Sequence, residues 1–260
     1  MGDHRLKVLD DPAAVHRRGA ELIADTVRSA IADKDRCTLG VSGGHDPWPM
    51  FSQLEDQGID WTRTEIYQVD ERVAPAGSDE RNLTHLIESL SIGAQGSIRP
   101  MPVTKDDLEA AADRYAKLLP EALDLAHMGL GPDGHTASLV PGDPVLEVTD
   151  RRVAVTGGEY EGVRRMTLTY PALSRVGTLL WVITGEKKRD PLAKLLAQDP
   201  SIPAGRVEPG GDSLILADRA AAPDWSTGGA ARRDGSIGIR PVFVMPDPPL
   251  VRLGLRVALR

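Results

Sequence analysis

The 260-residue chain is expected to fold as an α/β protein, a mainly parallel sheet flanked by helices in a Rossmann-like arrangement. Short apolar runs without strict alternation recur along it, a pattern that suits strands covered on both faces. Helix-like stretches fall between most of these runs, and βα order of this kind belongs to parallel sheets. With 41% hydrophobic and 27% charged residues, the chain is long enough to bury a sizeable core without a staple.

The elements follow in order. Val8-Leu9 ends a first strand, and Asp11 then reads as an N-cap with Pro12 at the first helical position. Leu22, Ile23, Val27 and Ile31 recur behind it at helical spacing. Further strands are expected at 38–41, 65–69, 123–128, 152–155, 166–169, 179–184 and 214–216. Ser42, Asp70, Gly129 and Gly185 each stand at or just past the carboxyl end of one of them. Four segments therefore converge on the rim where ligands bind in open α/β sheets.

Composition narrows the classes. The formal net charge of −7, with no dense basic cluster interleaved with aromatics, argues against a nucleic-acid partner. No run approaches the roughly 18 apolar residues of a membrane span, and the segment 1–7 lacks a secretory apolar stretch. The one cysteine, Cys37, lies in the apolar run 37–41 and is expected buried and reduced, in a cytoplasmic setting. The six histidines are scattered at 4, 16, 45, 85, 127 and 135, without the pairing of a zinc site, and no metal is expected.

Residues 1–225 read as one domain. In 226–260, six arginines stand against Asp234 and Asp247, formally +4, which leaves −11 for the remainder. Pro241, Pro246, Pro248 and Pro249 interrupt any helix or central strand there. A basic, flexible C-terminal extension is expected.

The most informative stretch is 129–139. Gly129, Gly131, Pro132 and Gly134 force a turn directly after an apolar strand, leaving backbone N–H groups free for a ligand. His135 is thereby held beside Asp133 at a strand end, and an imidazole there is suited to general base chemistry. The loop Gly40-Val41-Ser42-Gly43-Gly44 follows one strand and precedes a helix, so its N–H groups and the helix dipole suit a phosphate. It also fits G-x-S-x-G, which raises a rival reading of Ser42 as a nucleophile with His135. Too few residues precede Ser42 for the strands that normally lead to such an elbow, so the phosphate loop is the better reading. Arg72 offers a planar fork suited to a phosphate or carboxylate.

Gly131-Pro132-Asp133-Gly134-His135-Thr136-Ala137-Ser138-Leu139 resembles the signature of the 6-phosphogluconolactonases, relatives of the glucosamine-6-phosphate deaminases. Other segments resemble that family's blocks in order: Ser42-Gly43-Gly44, Asp70-Glu71-Arg72, Arg81-Asn82, 165–169, 184–188, 202–207 and 214–218. The deaminase motif carries an Asn-Glu pair that is absent after Ala137. The resemblance implies hydrolysis of 6-phospho-D-glucono-1,5-lactone to 6-phosphogluconate, in the oxidative pentose phosphate pathway, by a monomer or homodimer without a cofactor. His135 would be the base, with Asp133 or Asp70 steadying it. Arg72, Arg165, Lys188, Ser42, Gly43 and Gly44 would hold the substrate and its phosphate, and Lys187 could exchange roles with Lys188.

The chain departs from the family after Gly44, where His45-Asp46-Pro47 puts a carboxylate in place of a hydroxyl. Like charges about 4 Å apart repel by about 4 kcal/mol at an effective dielectric near 20. Asp46 must therefore point away or be offset by His45. If it does neither, activity is lost; Asp46 and the basic extension together also raise a rival reading, a catalytically silent sugar-phosphate binder.

Overall fold

A computed structural model describes residues 4–44, 47–90 and 92–223. His45, Asp46 and the 226–260 extension lie outside the described residues, and so do the expectations attached to them.

Strands are β1 (His4–Leu9), β2 (Cys37–Val41), β3 (Thr64–Gln68), β4 (Asp70–Arg72), β5 (Ile98–Arg99), β6 (Leu125–Met128), β7 (Val153–Val155), β8 (Arg165–Leu168), β9 (Thr178–Ile183) and β10 (Asp212–Asp218). Helices are α1 (Pro12–Lys34), α2 (Trp48–Ser52), α3 (Asn82–Ser89), α4 (Ile92–Gln95), α5 (Leu108–Leu118), α6 (Tyr170–Leu173) and α7 (Arg189–Leu196). Seven strands form one sheet in the order β1-β10-β9-β6-β2-β3-β5, with every pairing parallel. The order reverses between β2 and β6. From β2 the chain winds outward through β3 to β5, and from β6 it winds the other way through β9 to β10, which opens a crevice beyond the carboxyl ends at that point.

The expected mainly parallel sheet is present, with one correction. The strands expected at 152–155 and 166–169 leave it, and β8 pairs antiparallel with β7 on one side and β4 on the other in a second, three-stranded sheet. Asp70, expected at the tail of the preceding strand, begins β4 instead. The chain passes between sheets at Val69, whose N–H donates to Val41 in the first and whose carbonyl accepts from Leu168 in the second.

Strand alternation sorts the core onto two faces of the parallel sheet. Leu39, Val41, Ile66, Leu180, Val182 and Leu216 pack with Val15, Ile23 and Val27 of α1. Tyr67, Leu179, Trp181, Ile183 and Ile215 pack with Tyr115 of α5, with Leu192 and Leu195 of α7, and with the second sheet. Each fully buried Leu or Ile contributes about 1.5–3 kcal/mol. Helix α1 begins as the sequence predicts: Asp11 Oδ1 accepts from Ala14 N–H at 2.8 Å, and Pro12 follows. It stops at Asp35, which takes a left-handed φ of 64° and donates its N–H to Ile31. Cys37 is fully buried in β2, as its apolar run predicts. No helix among the described residues is long and apolar enough to cross a membrane.

Candidate active site

The crevice at the switch point holds a cavity of about 650 Å³. Into it open Ser42 and Gly43 after β2, Asp70 and Arg72 on β4, Gly129 and His135 after β6, Arg165 on β8, and Thr184 to Lys188 after β9. All four segments expected at one rim therefore line one cavity.

The turn after β6 is built around its glycines. Gly131 and His135 close it, with Gly131 N–H donating to the His135 carbonyl at 2.7 Å and Gly134 N–H to the Gly131 carbonyl at 3.0 Å. Gly134 takes a φ of +83°, and a Cβ there would lie 2.5 Å from Ile202. A Cβ on Gly131 would lie 2.1 Å from His135 Nδ1 and 2.6 Å from Asp133 Oδ1, so the bare glycine makes room for this pair. His135 Nδ1 and Asp133 Oδ1 are 2.6 Å apart. Partial burial works to raise the Asp133 pKa, but hydrogen bonds and charge from His135, together with Tyr160, outweigh it and hold the carboxyl well below the usual range. An ionised Asp133 on Nδ1 assigns the ring proton to that nitrogen and leaves Nε2 as the basic one.

Asp70 is placed elsewhere. Its Oδ1 accepts from Ser42 Oγ at 3.0 Å and its Oδ2 from Ser138 Oγ at 2.8 Å, which ties the phosphate-loop candidate to the His135 turn from below. Of the two acids considered as partners for His135, Asp133 makes the contact. Ser42 Oγ bonds to Asp70 and is 4% exposed, which removes the basis for a Ser42–His135 nucleophile pair.

Asp70-Glu71-Arg72 divides by strand alternation. Asp70 and Arg72 line the cavity, whereas Glu71 faces inward with no exposed surface. Its carboxylate accepts from the N–H groups of Arg72, Asn82 and Leu83 at 2.8–2.9 Å and from Gln68 at 3.0 Å, and it pairs with Arg81 at 3.0 Å. Helix α3 thus receives its N-terminal acceptor from a strand residue, since Arg81 supplies no side-chain cap.

Gly43 and Gly44 line the cavity, and a Cβ on Gly43 would meet Asn82 Oδ1 at 2.0 Å. The helix expected after this loop, α2, begins at Trp48 and has five residues, so its dipole adds little. His127, expected within a strand, is buried on β6 and hydrogen-bonds the Ser42 backbone, and burial lowers its pKa to about 3. Lys188 Nζ donates to the Leu130 carbonyl at 2.5 Å, and both Lys187 and Lys188 line the cavity.

Two residues that the sequence reading missed come from the turn joining β7 to β8. Tyr160 Oη donates to Asp133 Oδ2 at 3.0 Å, and its ring meets that of His135 edge-on with centroids 5.2 Å apart. The Arg165 guanidinium lies 4.8 Å from the Tyr160 ring centroid. Burial, then the Asp133 charge, pushes the Tyr160 hydroxyl up to about 12. Glu161 Oε2 lies 2.7 Å from Arg165 and 3.5 Å from Arg72, so both arginines meet one carboxylate. The only available signal was Gly157, Gly158 and Gly162 just ahead of Arg165, which mark a turn without naming its target.

The model of the family described as glucosamine-6-phosphate isomerases/6-phosphogluconolactonase matches residues 10–216. The chain belongs to this family. Among its relatives, a 6-phosphogluconolactonase of a Nostoc species is 31% identical over 238 residues, covering 85% of this chain and 98% of that protein. One from a Synechocystis species is 30% identical, covering 84% and 96%. The crystal structure of a 6-phosphogluconolactonase from Thermotoga maritima superposes with a TM-score of 0.76 at 26% identity, covering 84% of this chain and all of that one.

Proposed function

We propose that this protein hydrolyses 6-phospho-D-glucono-1,5-lactone to 6-phosphogluconate in the oxidative pentose phosphate pathway, with His135 as the general base. The observation that carries the mechanism is the 2.6 Å contact between His135 Nδ1 and Asp133 at the edge of the cavity. Family membership supports the substrate, because the 6-phosphogluconolactonases described above match almost their whole lengths.

In the proposed reaction, His135 Nε2 takes a proton from water as the water oxygen attacks the lactone carbonyl. Negative charge gathers on the carbonyl oxygen, and the cationic lining of Arg72, Arg165, Lys187 and Lys188 offsets it. Collapse of the tetrahedral adduct breaks the bond to the ring oxygen, which accepts the proton from His135. Asp133 stabilises the transient imidazolium and fixes its tautomer. The phosphate lies among Ser42, Gly43, Gly44 and the basic side chains, and no cofactor enters any step.

The test is lactone opening by wild type and His135→Ala with the spontaneous rate subtracted. A loss of about 100-fold or more in kcat is expected for removal of a general base. Equal rates in both proteins would sink the assignment. Binding of 6-phosphogluconate without turnover in the wild type would favour a silent binder.

A further inference from the structure

We propose that Glu161 is the internal occupant of the Arg72–Arg165 anion site, and that a ligand's anionic group binds there by exchanging with its carboxylate. The inference deepens the reading above and rests on it for the identity of the ligand.

Three observations carry it. First, Arg165 is almost entirely buried, with 5% of its side chain exposed, yet its hydrogen-bonded counterion Glu161 is 62% exposed. The cation is fixed by the fold and the anion is held at a solvent-facing turn. Second, the same Glu161 oxygen reaches Arg72, so one carboxylate stands between the two arginines that line the cavity. Convergence of two guanidinium groups on one oxygen is how a phosphate or carboxylate would be held there.

Third, the backbone places Glu161 against its own preference. The Tyr160–Val163 bridge closes a turn whose central residues are Glu161 and Gly162, at φ of 54° and 83°. Left-handed geometry at both central positions favours Asn-Gly or Gly-Gly, and Glu is disfavoured there. A strained non-glycine residue at a cavity edge points to a side-chain role, and the contact this side chain makes is with the arginine pair.

The exchange has a chemical consequence. In the unliganded protein Glu161 already offsets one of the two positive charges, so weakly held ambient anions compete poorly for the site. A ligand anchored elsewhere in the cavity brings its anion at high local concentration and displaces Glu161.

The experiment is calorimetric titration of inorganic phosphate into wild type, Glu161→Gln and Glu161→Gly. The Gly variant suits the left-handed backbone, so it folds even if Gln does not. Both variants should bind phosphate about fivefold more tightly than wild type, the size of one partly exposed ion pair. Unchanged or weaker binding in both variants would overturn the proposal. The titration needs no turnover. Tightened phosphate binding in an enzyme that fails to open the lactone therefore supports the exchange while rejecting the hydrolase reading.

Discussion

Asp133 Oδ1 and His135 Nδ1 lie 2.6 Å apart across the bare Cα of Gly131, in a turn that leaves no room for a side chain between them. Asp133→Asn preserves the shape but replaces the anion with an amide, so Nδ1 is no longer committed to carrying the proton. Turnover should fall about 100-fold, with KM close to wild type, because the orienting group acts on the base rather than on the substrate. Steady-state kinetics separate the two constants; a raised KM at unchanged kcat would assign Asp133 to substrate binding.

Tyr160→Phe removes the hydrogen bond to Asp133 Oδ2 while leaving the ring that meets His135. The Asp133 carboxyl then titrates closer to its ordinary range. A reduction in kcat of about fivefold is expected, in line with a partly exposed hydrogen bond to a charged group. The pH–rate profile of this variant should lose activity at a higher pH on its acid side than the wild-type profile does.

Gly43→Ala forces a Cβ to within 2.0 Å of Asn82 Oδ1. Asn82 must move, and the hydrogen bond from its amide to the Asp70 carbonyl goes with it. Inorganic phosphate should inhibit this variant at about tenfold higher concentration, the worth of one hydrogen bond to an anion. Equal inhibition would place the phosphate away from this loop.

Much of this site is legible in the sequence because its carriers are locally determined. The 131–139 turn is punctuated by glycine and proline, and the apolar runs ending at Val41, Met128 and Ile183 mark strands by composition alone. What is not legible depends on pairing between distant segments. β4 is the polar run Asp70-Glu71-Arg72 and carries no strand signal, and nothing in Val153–Val155 or Arg165–Leu168 says which sheet they join. Tyr160 and Glu161 sit in a polar turn whose partners, Asp133 and Arg72, lie 27 and 89 residues away.

His127 is neutral in the folded protein, its pKa lowered to about 3 by burial against an ordinary value of 6.5. Below pH 6.5 the unfolded chain therefore takes up a proton that the native state refuses, and stability falls as pH drops from 6.5 towards 3. The slope from this one group approaches about 1.4 kcal/mol per pH unit. Denaturant titrations between pH 7 and about 5, above most carboxylate titration, should show this slope in wild type and a flatter one in His127→Leu.

Glu71→Ala removes the buried carboxylate shared by Arg81, Gln68 and three backbone N–H groups. Uncovering a buried cation costs about 3–5 kcal/mol. Thermal unfolding should register this as a large drop in Tm. A loss of activity without any loss of stability would contradict the structural role given to Glu71.

The position of β10 has a consequence for how the protein is made. This strand, Asp212–Asp218, is the last in the described chain, yet it lies between β1 and β9, pairing His4 with Ser213 and Thr178 with Asp212. Its terminal residue Asp218 then accepts the Gly185 N–H at 3.0 Å and so fixes the loop that carries Lys187 and Lys188. A nascent chain still short of residue 218 holds β1 without a neighbour and β9 with one edge open, however much of it has left the ribosome. The cavity is therefore completed only once residue 218 has been made, and fragments that end before β10 should remain substrates for chaperones and proteases rather than partly active enzymes.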